Sequence, residues 1–344
     1  MTEMLHNILP SALKTLVSLL PVLIYLLVLV FMDSYKLVRL RTLIVAILGG
    51  AAAAGAGYFL NSELIKLFHG NFAVYSRYVS PLIEESLKAL VVLVFFQAQR
   101  IGFLVDAAVL GFAAGAGFSL FENIYYLNTT PEANLVNWAI RGFGTAIMHG
   151  GTTAIFAAIT KSVSDRHSKN AWISVLPGLA GAYALHSAFN HFLLPPLVMT
   201  AVMLVVLPVV AAYVFVISER RTRKWLDVGF DSDVELLGYI TTGRFATTKV
   251  GDFLLSLKDK FQGEVVADML CLLRIHLELS ISAKGILLMK EAGLPVKPEP
   301  NIREKFEELT YLEKSIGKTG MLAVGSILHR SRQDLWELHM LEAK

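Results

Sequence analysis

The chain has 344 residues, 55% of them hydrophobic and only 17% charged, with a mean hydropathy of +0.57; a typical soluble domain carries about 25% charged residues. This excludes an ordinary soluble globular protein, and the single cysteine, Cys271, excludes an intramolecular disulfide. The net charge of +3 says little, and no nucleic-acid partner is expected.

The hydrophobic residues concentrate before residue 218, in about seven runs, each near the roughly 20 residues that a membrane-spanning helix needs. They lie at 14–32, 41–60, 79–97, 103–127, 138–160, 172–194 and 196–217. The first is long enough to span, and no small-x-small cleavage site follows it, so no cleavable signal peptide is expected. The stretch 61–78 is too polar to span and reads as a loop or a short interfacial helix. The fourth run contains Gly111 and Gly115 in GxxxG spacing, then Gly117; the fifth contains Gly142, Gly144, Gly150 and Gly151. Small residues of this kind let helix backbones approach closely in lipid. The expectation is all-α: a polytopic helical membrane bundle over 1–218, then an all-helical soluble C-terminal domain over 219–344.

The C-terminal domain has ordinary soluble composition. Its run 262–291 is amphipathic and broken by Asp268, Arg274, Glu278 and Lys284, and prolines interrupt 292–300. It carries no Gly-rich phosphate loop and no paired-cysteine metal motif. It reads as a regulatory or interaction domain, able to form a homodimer. Basic residues favour the cytoplasmic side of a membrane. They cluster at Lys36, Arg39 and Arg41, at Arg100, at Lys161, Arg166 and Lys169, and at Arg220 to Lys224. The other connections hold only Lys14, Lys66, Arg77 and Arg141. The expected protein is multi-pass in the plasma membrane, with its N-terminus outside and its C-terminal domain cytoplasmic.

Polar residues interrupt four of the apolar runs. Glu84, Glu85 and Lys88 fall within five residues of each other; Glu122, His149, His186 and Asn190 interrupt three further runs. A charged side chain at the bilayer centre costs roughly 3 kcal/mol on insertion scales. With the topology above, these groups fall in the outer half of the membrane. Residues four apart share a helix face, so Glu84 pairs with Lys88, Phe118 with Glu122, and His186 with Asn190, while Thr145, His149 and Thr153 form one stripe. His191 faces away from His186. His6, His69 and His167 lie outside the spans, and His276 reads as an ordinary histidine of the tail.

Two mechanisms use this set. Of two carboxylates at low dielectric, one is held protonated or paired with Lys88, and the other is free to act as general base on water. A histidine then orients the water or protonates the leaving amine, and Asn190 stabilises an oxyanion. Alternatively, Glu122, His149 and His186 hold zinc with an open position, and Glu84 or Glu85 is the base, or Glu85 a fourth ligand. Glu84 and Glu85 lie about 100° apart on a helix, and the sequence does not choose between them. A structural Glu–Lys ion pair, a proton-coupled transporter or channel, and a non-catalytic scaffold are the competing readings of the same residues. No internal repeat supports a transporter.

The order Glu84-Glu85-x-x-Lys88, Phe118-x-x-x-Glu122-Asn123, His149 and His186-x-x-x-Asn190 resembles the PrsW family of intramembrane proteases. That family is itself distantly similar to the type II CAAX prenyl proteases. The resemblance covers roughly residues 75–200. It implies hydrolysis of a peptide bond at or within the bilayer, on a membrane-anchored, anti-sigma-factor-like protein cut on its outer side. By motif position it assigns water activation to Glu84 or Glu85 and oxyanion binding to His186 and Asn190. The chain departs from the CAAX pattern at Lys88, where those proteins have an Arg one residue later, and at Glu122, where they have a His. The second departure favours the metal mechanism.

Overall fold

The computed structural model describes residues 2–68, 71–165, 171–296, 301–325, 327–328, 336 and 340–341. Arg166, His69, His167, Lys169, Pro298 and Pro300 lie outside the described residues, as does the side chain of His6. Among the described residues the chain is helical and contains no strand. It divides into two compact units, Met1–Ser218 and Glu219–Lys344.

In the first unit, α1 (Thr2–Met32) and α2 (Leu40–Leu64) precede a 3-10 turn, Ile65–Phe68. A short helix, Phe72–Val74, and a π-helical turn, Tyr75–Val79, lead directly into α3 (Ser80–Gln97). The polar stretch after the second apolar run is thus a chain of short helical turns. Then come α4 (Leu104–Thr129), a short helix Leu135–Ala139, a second π-helical turn Ile140–Thr145, and α5 (Ala146–Ser164). The sixth long helix is α6 (Ala171–Asn190), and α7 (Pro196–Thr241) runs on past the unit boundary. Pro81, in the first turn of α3, has no N–H to offer the turn before it; the Ser76 and Arg77 carbonyls there accept from Asn190 and Ser187. Asp106 stops the N-terminal fraying of α4 by accepting the backbone N–H groups of Gly102 and Phe103, each at 2.9 Å.

By length and composition, four helices are apolar enough to cross a membrane: Ser11–Met32, Leu40–Phe68, Leu104–Thr129 and Pro196–Thr241. The sequence reading expects about seven, counting α3, α5 and α6 as well. Those three carry Glu84, Glu85, Lys88, His149, His186 and Asn190, and these polar groups lower their apolar character.

The central element is α4, whose apolar window is 83% buried, against 11% for α7. Glycine sets how close its neighbours come. A Cβ on Gly50 would stand 1.8 Å from the Ala114 carbonyl oxygen, and one on Gly117 would stand 1.9 Å from that of Ile47. These contacts press α2 onto one side of α4. A Cβ on Gly115 would lie 2.2 Å from the carbonyl oxygen of His149, so α5 sits equally close on another side. The apolar core around Val109, Leu110, Phe112, Phe156 and Ala182 fills the space between.

In the second unit, α8 (Lys249–Ser256) starts at Thr248, whose hydroxyl accepts the Gly251 N–H. Next come α9 (Gly263–Glu291) and α10 (Ile302–Val324), which pack against each other. Lys284 is buried and donates to Asp233 at 2.5 Å, with its ammonium over the Trp225 ring. Glu278 pairs with both Arg274 and Lys305.

Gly117→Ala should destabilise the bundle by about 1–3 kcal/mol, the usual cost of overpacking. Gly55→Ala, whose new methyl would meet only the Phe121 ring at 3.7 Å, should be neutral or slightly stabilising. Thermal unfolding of both variants in detergent is the check; equal midpoints would mean that α2 and α4 are not held at backbone contact.

Candidate active site

One face of α3 turns Glu84 into a cleft of about 600 Å³, whose walls also include Glu122, Arg141, His149, His186 and Asn190. The helix periodicity separates the adjacent glutamates. Glu84 is half-buried at the cleft wall, whereas Glu85 is 2% exposed and points into the bundle.

Behind the cleft lies a fully buried network. Lys88 donates to Glu85 Oε1 at 2.6 Å, and its ammonium lies 3.1 Å from His149 Nδ1. Thr152 donates to the same Glu85 oxygen at 3.1 Å, and His186 Nδ1 lies 2.7 Å from it. A carboxylate accepts and an ammonium only donates. Nδ1 of His186 therefore carries the proton toward Glu85, and Nδ1 of His149 accepts from Lys88. His186 Nε2 lies 3.8 Å from Glu84 Oε2. The Lys88 contact gives His149 a proton on Nε2, which lies 3.1 Å from Glu122 Oε2.

Two contacts hold Glu84 at the cleft. Ser80 donates to its Oε1 at 2.6 Å, and Asn61 Nδ2 lies 3.4 Å from the same atom. Tyr75 in turn donates to Asn61 Oδ1 at 2.7 Å. The rings of His149 and His186 meet edge to face, with centroids 4.9 Å apart. Phe118 packs on the His149 ring and under the Lys88 ammonium, which shields both from water.

The sequence reading groups Glu122 with the two histidines as metal ligands. In the structure the group that comes together is Glu84, His149 and His186, whose ligand atoms all lie within 4.8 Å of one another. Glu122 is drawn aside by Arg141, whose Nη2 lies 3.2 Å from Oε1. Glu122 Oε2 is buried and faces His149 Nε2 at 3.1 Å.

One carboxylate with two imidazoles is a donor set that suits a catalytic divalent metal. The Glu85 contact to His186 is the outer-shell support that fixes a ligand ring and its tautomer. Coordination through His149 Nε2 requires the other tautomer, with the proton moved to Nδ1 and the Lys88 hydrogen bond given up. With that condition the residues present fit a metal ion.

Asn190 lines the cleft, but it donates to the Ser76 carbonyl at 2.9 Å. Ser187 donates to the Arg77 carbonyl at 2.7 Å, and His191 Nε2 lies 2.9 Å from the Tyr78 hydroxyl. The last turn of α6 thus clasps the turn that precedes α3. In the expected Thr145, His149 and Thr153 stripe, Thr153 bonds only the carbonyl of His149, within its own helix. Thr145 does reach the cleft. Thr152, Ser80, Asn61 and Arg141 escaped the sequence reading as site residues. Ser80 and Arg141 left a trace there: Ser80 is four residues before Glu84, and Arg141 interrupts an apolar run.

Residues 38–217, just over half of the chain, match the profile of a family described as PrsW family intramembrane metalloprotease. No curated protein and no solved structure matches the chain.

Breaking a buried ion pair by removing one partner costs about 3–5 kcal/mol, because the other charge is left uncompensated. Glu85→Gln should therefore lower stability by about that much. The double variant Glu85→Gln/Lys88→Met should recover most of the loss. Chemical unfolding in detergent measures it, and losses that simply add would rule out the coupling.

Proposed function

The chain belongs to the PrsW family of intramembrane metalloproteases, and on that premise we propose that its cleft hydrolyses a peptide bond of a membrane-anchored protein. The observation that carries this reading is the convergence of Glu84, His149 and His186 at the cleft wall, within 4.8 Å. These three residues are the ligands, and zinc is the metal their chemistry suits. Bound there, zinc would polarise the scissile carbonyl and acidify the attacking water.

The chain's own residues divide the remaining work. Glu122 is the general base: it lines the cleft, and its Oε2 faces His149 Nε2 beside the ligand group. It takes a proton from water and delivers it to the departing amine. Glu85 and Lys88 act through the imidazoles, since neither lines the cleft. The assignment of the base thus moves from the Glu84/Glu85 pair to Glu122. The family does not favour the transporter alternative.

In this reading the chain crosses the cell membrane about seven times, with its N-terminus outside and the helical 219–344 unit in the cytoplasm as a regulatory or dimerising domain. The clustered basic residues support that orientation. The cleft then opens in the outer half of the bilayer, and the substrate is anti-sigma-factor-like, as the family resemblance implies.

Purified protein, reconstituted with native membrane proteins, tests this directly. Mass spectrometry should find new N-termini with the wild type and none with Glu84→Gln. Wild type should hold about one zinc per chain, the stoichiometry of a single catalytic site, and His149→Ala/His186→Ala should hold none. Glu122→Gln should keep the zinc and lose about 10²–10⁴-fold in rate. Cleavage that persists after complete zinc removal would discard the metal and make Glu84 or Glu122 the sole activator of water.

A further inference from the structure

We propose that Arg141 is a catalytic residue, the donor that receives the negative charge on the substrate carbonyl oxygen. This inference rests on the protease reading of the same cleft. Arg141 lines the cleft beside Glu122 and His149. Its Nη2 is buried and carries two N–H groups, of which Glu122 Oε1, at 3.2 Å, can answer only one. A buried guanidinium N–H with no acceptor is costly to maintain, and one that faces a cleft has a use if the acceptor arrives with the substrate.

The mount is rigid. Arg141 Nε donates to Asn123 Oδ1 at 3.0 Å, and the guanidinium stacks 3.9 Å from the Tyr126 ring centroid. Asn123 is itself buried and fixed by donating to the Ser18 carbonyl at 2.8 Å. The Nε edge is therefore committed to the protein, and Nη2 is left toward the reacting groups. The π-helical turn Ile140–Thr145 supplies the register. In a regular α-helix, Arg141 and His149, eight residues apart, would point about 80° apart. Across the wider turn both side chains reach the same Glu122 carboxylate. Such turns recur at functional sites. Asn190, the residue that the sequence offers for this role, commits one of its two N–H groups to the Ser76 carbonyl.

The step balances without a further reactant. Water oxygen bonds to the carbonyl carbon, and its proton passes to Glu122. The carbonyl π pair moves onto oxygen, where the Arg141 N–H holds it. The pair returns as the C–N bond breaks, and Glu122 gives its proton to the leaving nitrogen.

The test uses full-length protein in proteoliposomes, with the scissile bond found by N-terminal mass spectrometry as the reporter. Arg141→Ala should lower kcat about 10²–10³-fold, the cost of one oxyanion donor, with KM nearly unchanged. Zinc content should stay at the wild-type value, the unfolding midpoint should fall only modestly through the lost Glu122 and Asn123 contacts, and added ethylguanidinium should restore part of kcat. A kcat within a few-fold of wild type, or a loss that tracks lost zinc or stability, overturns the proposal. Should Arg141→Ala not fold, Arg141→Lys carries the test. It keeps the charge but lacks the forked donor, so kcat should still fall more than about 10-fold, and a retained kcat overturns the proposal. Glu84→Gln runs alongside. If it cleaves like wild type, the protease reading of the cleft fails; if it is inert while the Arg141 variants cleave normally, the Arg141 assignment alone fails.

Discussion

A single ammonium group buried in the middle of a helix bundle governs the site. Lys88 has no exposure, and it is held between Glu85 and the Nδ1 atom of His149. Such a charge is tolerated in low dielectric only with a partner. The partner it takes, Glu85, must then turn inward. Glu84, one residue earlier, is thereby rotated to the cleft. The same Glu85 oxygen draws the Nδ1–H of His186 and the hydroxyl of Thr152. Two imidazoles from two helices thus have their tautomers set by one ion pair that touches neither solvent nor substrate.

Close helix approach makes that network geometrically attainable. Lys88, His149 and His186 come from α3, α5 and α6, and their side chains must meet across the bundle. Gly115 allows α5 to lie against α4 at the level of His149, where any side chain would strike the His149 carbonyl. Gly50 and Gly117 do the same for α2, which brings Asn61 within reach of Glu84. The polar residues are costly in lipid, and the small ones weaken helices in water. Together they allow a polar interior to be walled by backbone.

Much of this was legible in the chain alone. Helical class followed from long apolar runs, and Glu84, Glu85, Lys88, Glu122, His149, His186 and Asn190 stood out because they interrupt them. What the sequence did not carry was rotation. Glu84 and Glu85 differ by about 100° on a helix, and only the packing of α3 against α5 and α6 decides which one is sequestered. Arg141 read as a topology marker because a lone basic residue near the end of an apolar run commonly sits at a membrane surface. Its approach to Glu122 depends on a π-helical turn, and hydrophobic periodicity does not reveal one in advance. Asn190 was legible as polar and inward, but its acceptor, the Ser76 carbonyl, belongs to an irregular turn with no sequence signature.

The three helices that carry Glu84, His149 and His186, α3, α5 and α6, are also poorly suited to lipid by composition, and this bears on how the protein is made. Three ionisable groups on α3, each costing roughly 3 kcal/mol at the bilayer centre, make that segment a poor guest for the membrane while it is alone. Lys88 and Glu85 pair within the segment itself, but the groups that complete their network, His149, Thr152 and His186, are translated later. On the seven-span reading, α3 needs a sheltered, water-accessible setting until α5 and α6 emerge. A truncated or stalled chain ending before His186 would lack the partner that completes the Glu85 network. Quality control of the nascent chain could read that deficit directly, as a segment that does not settle into lipid.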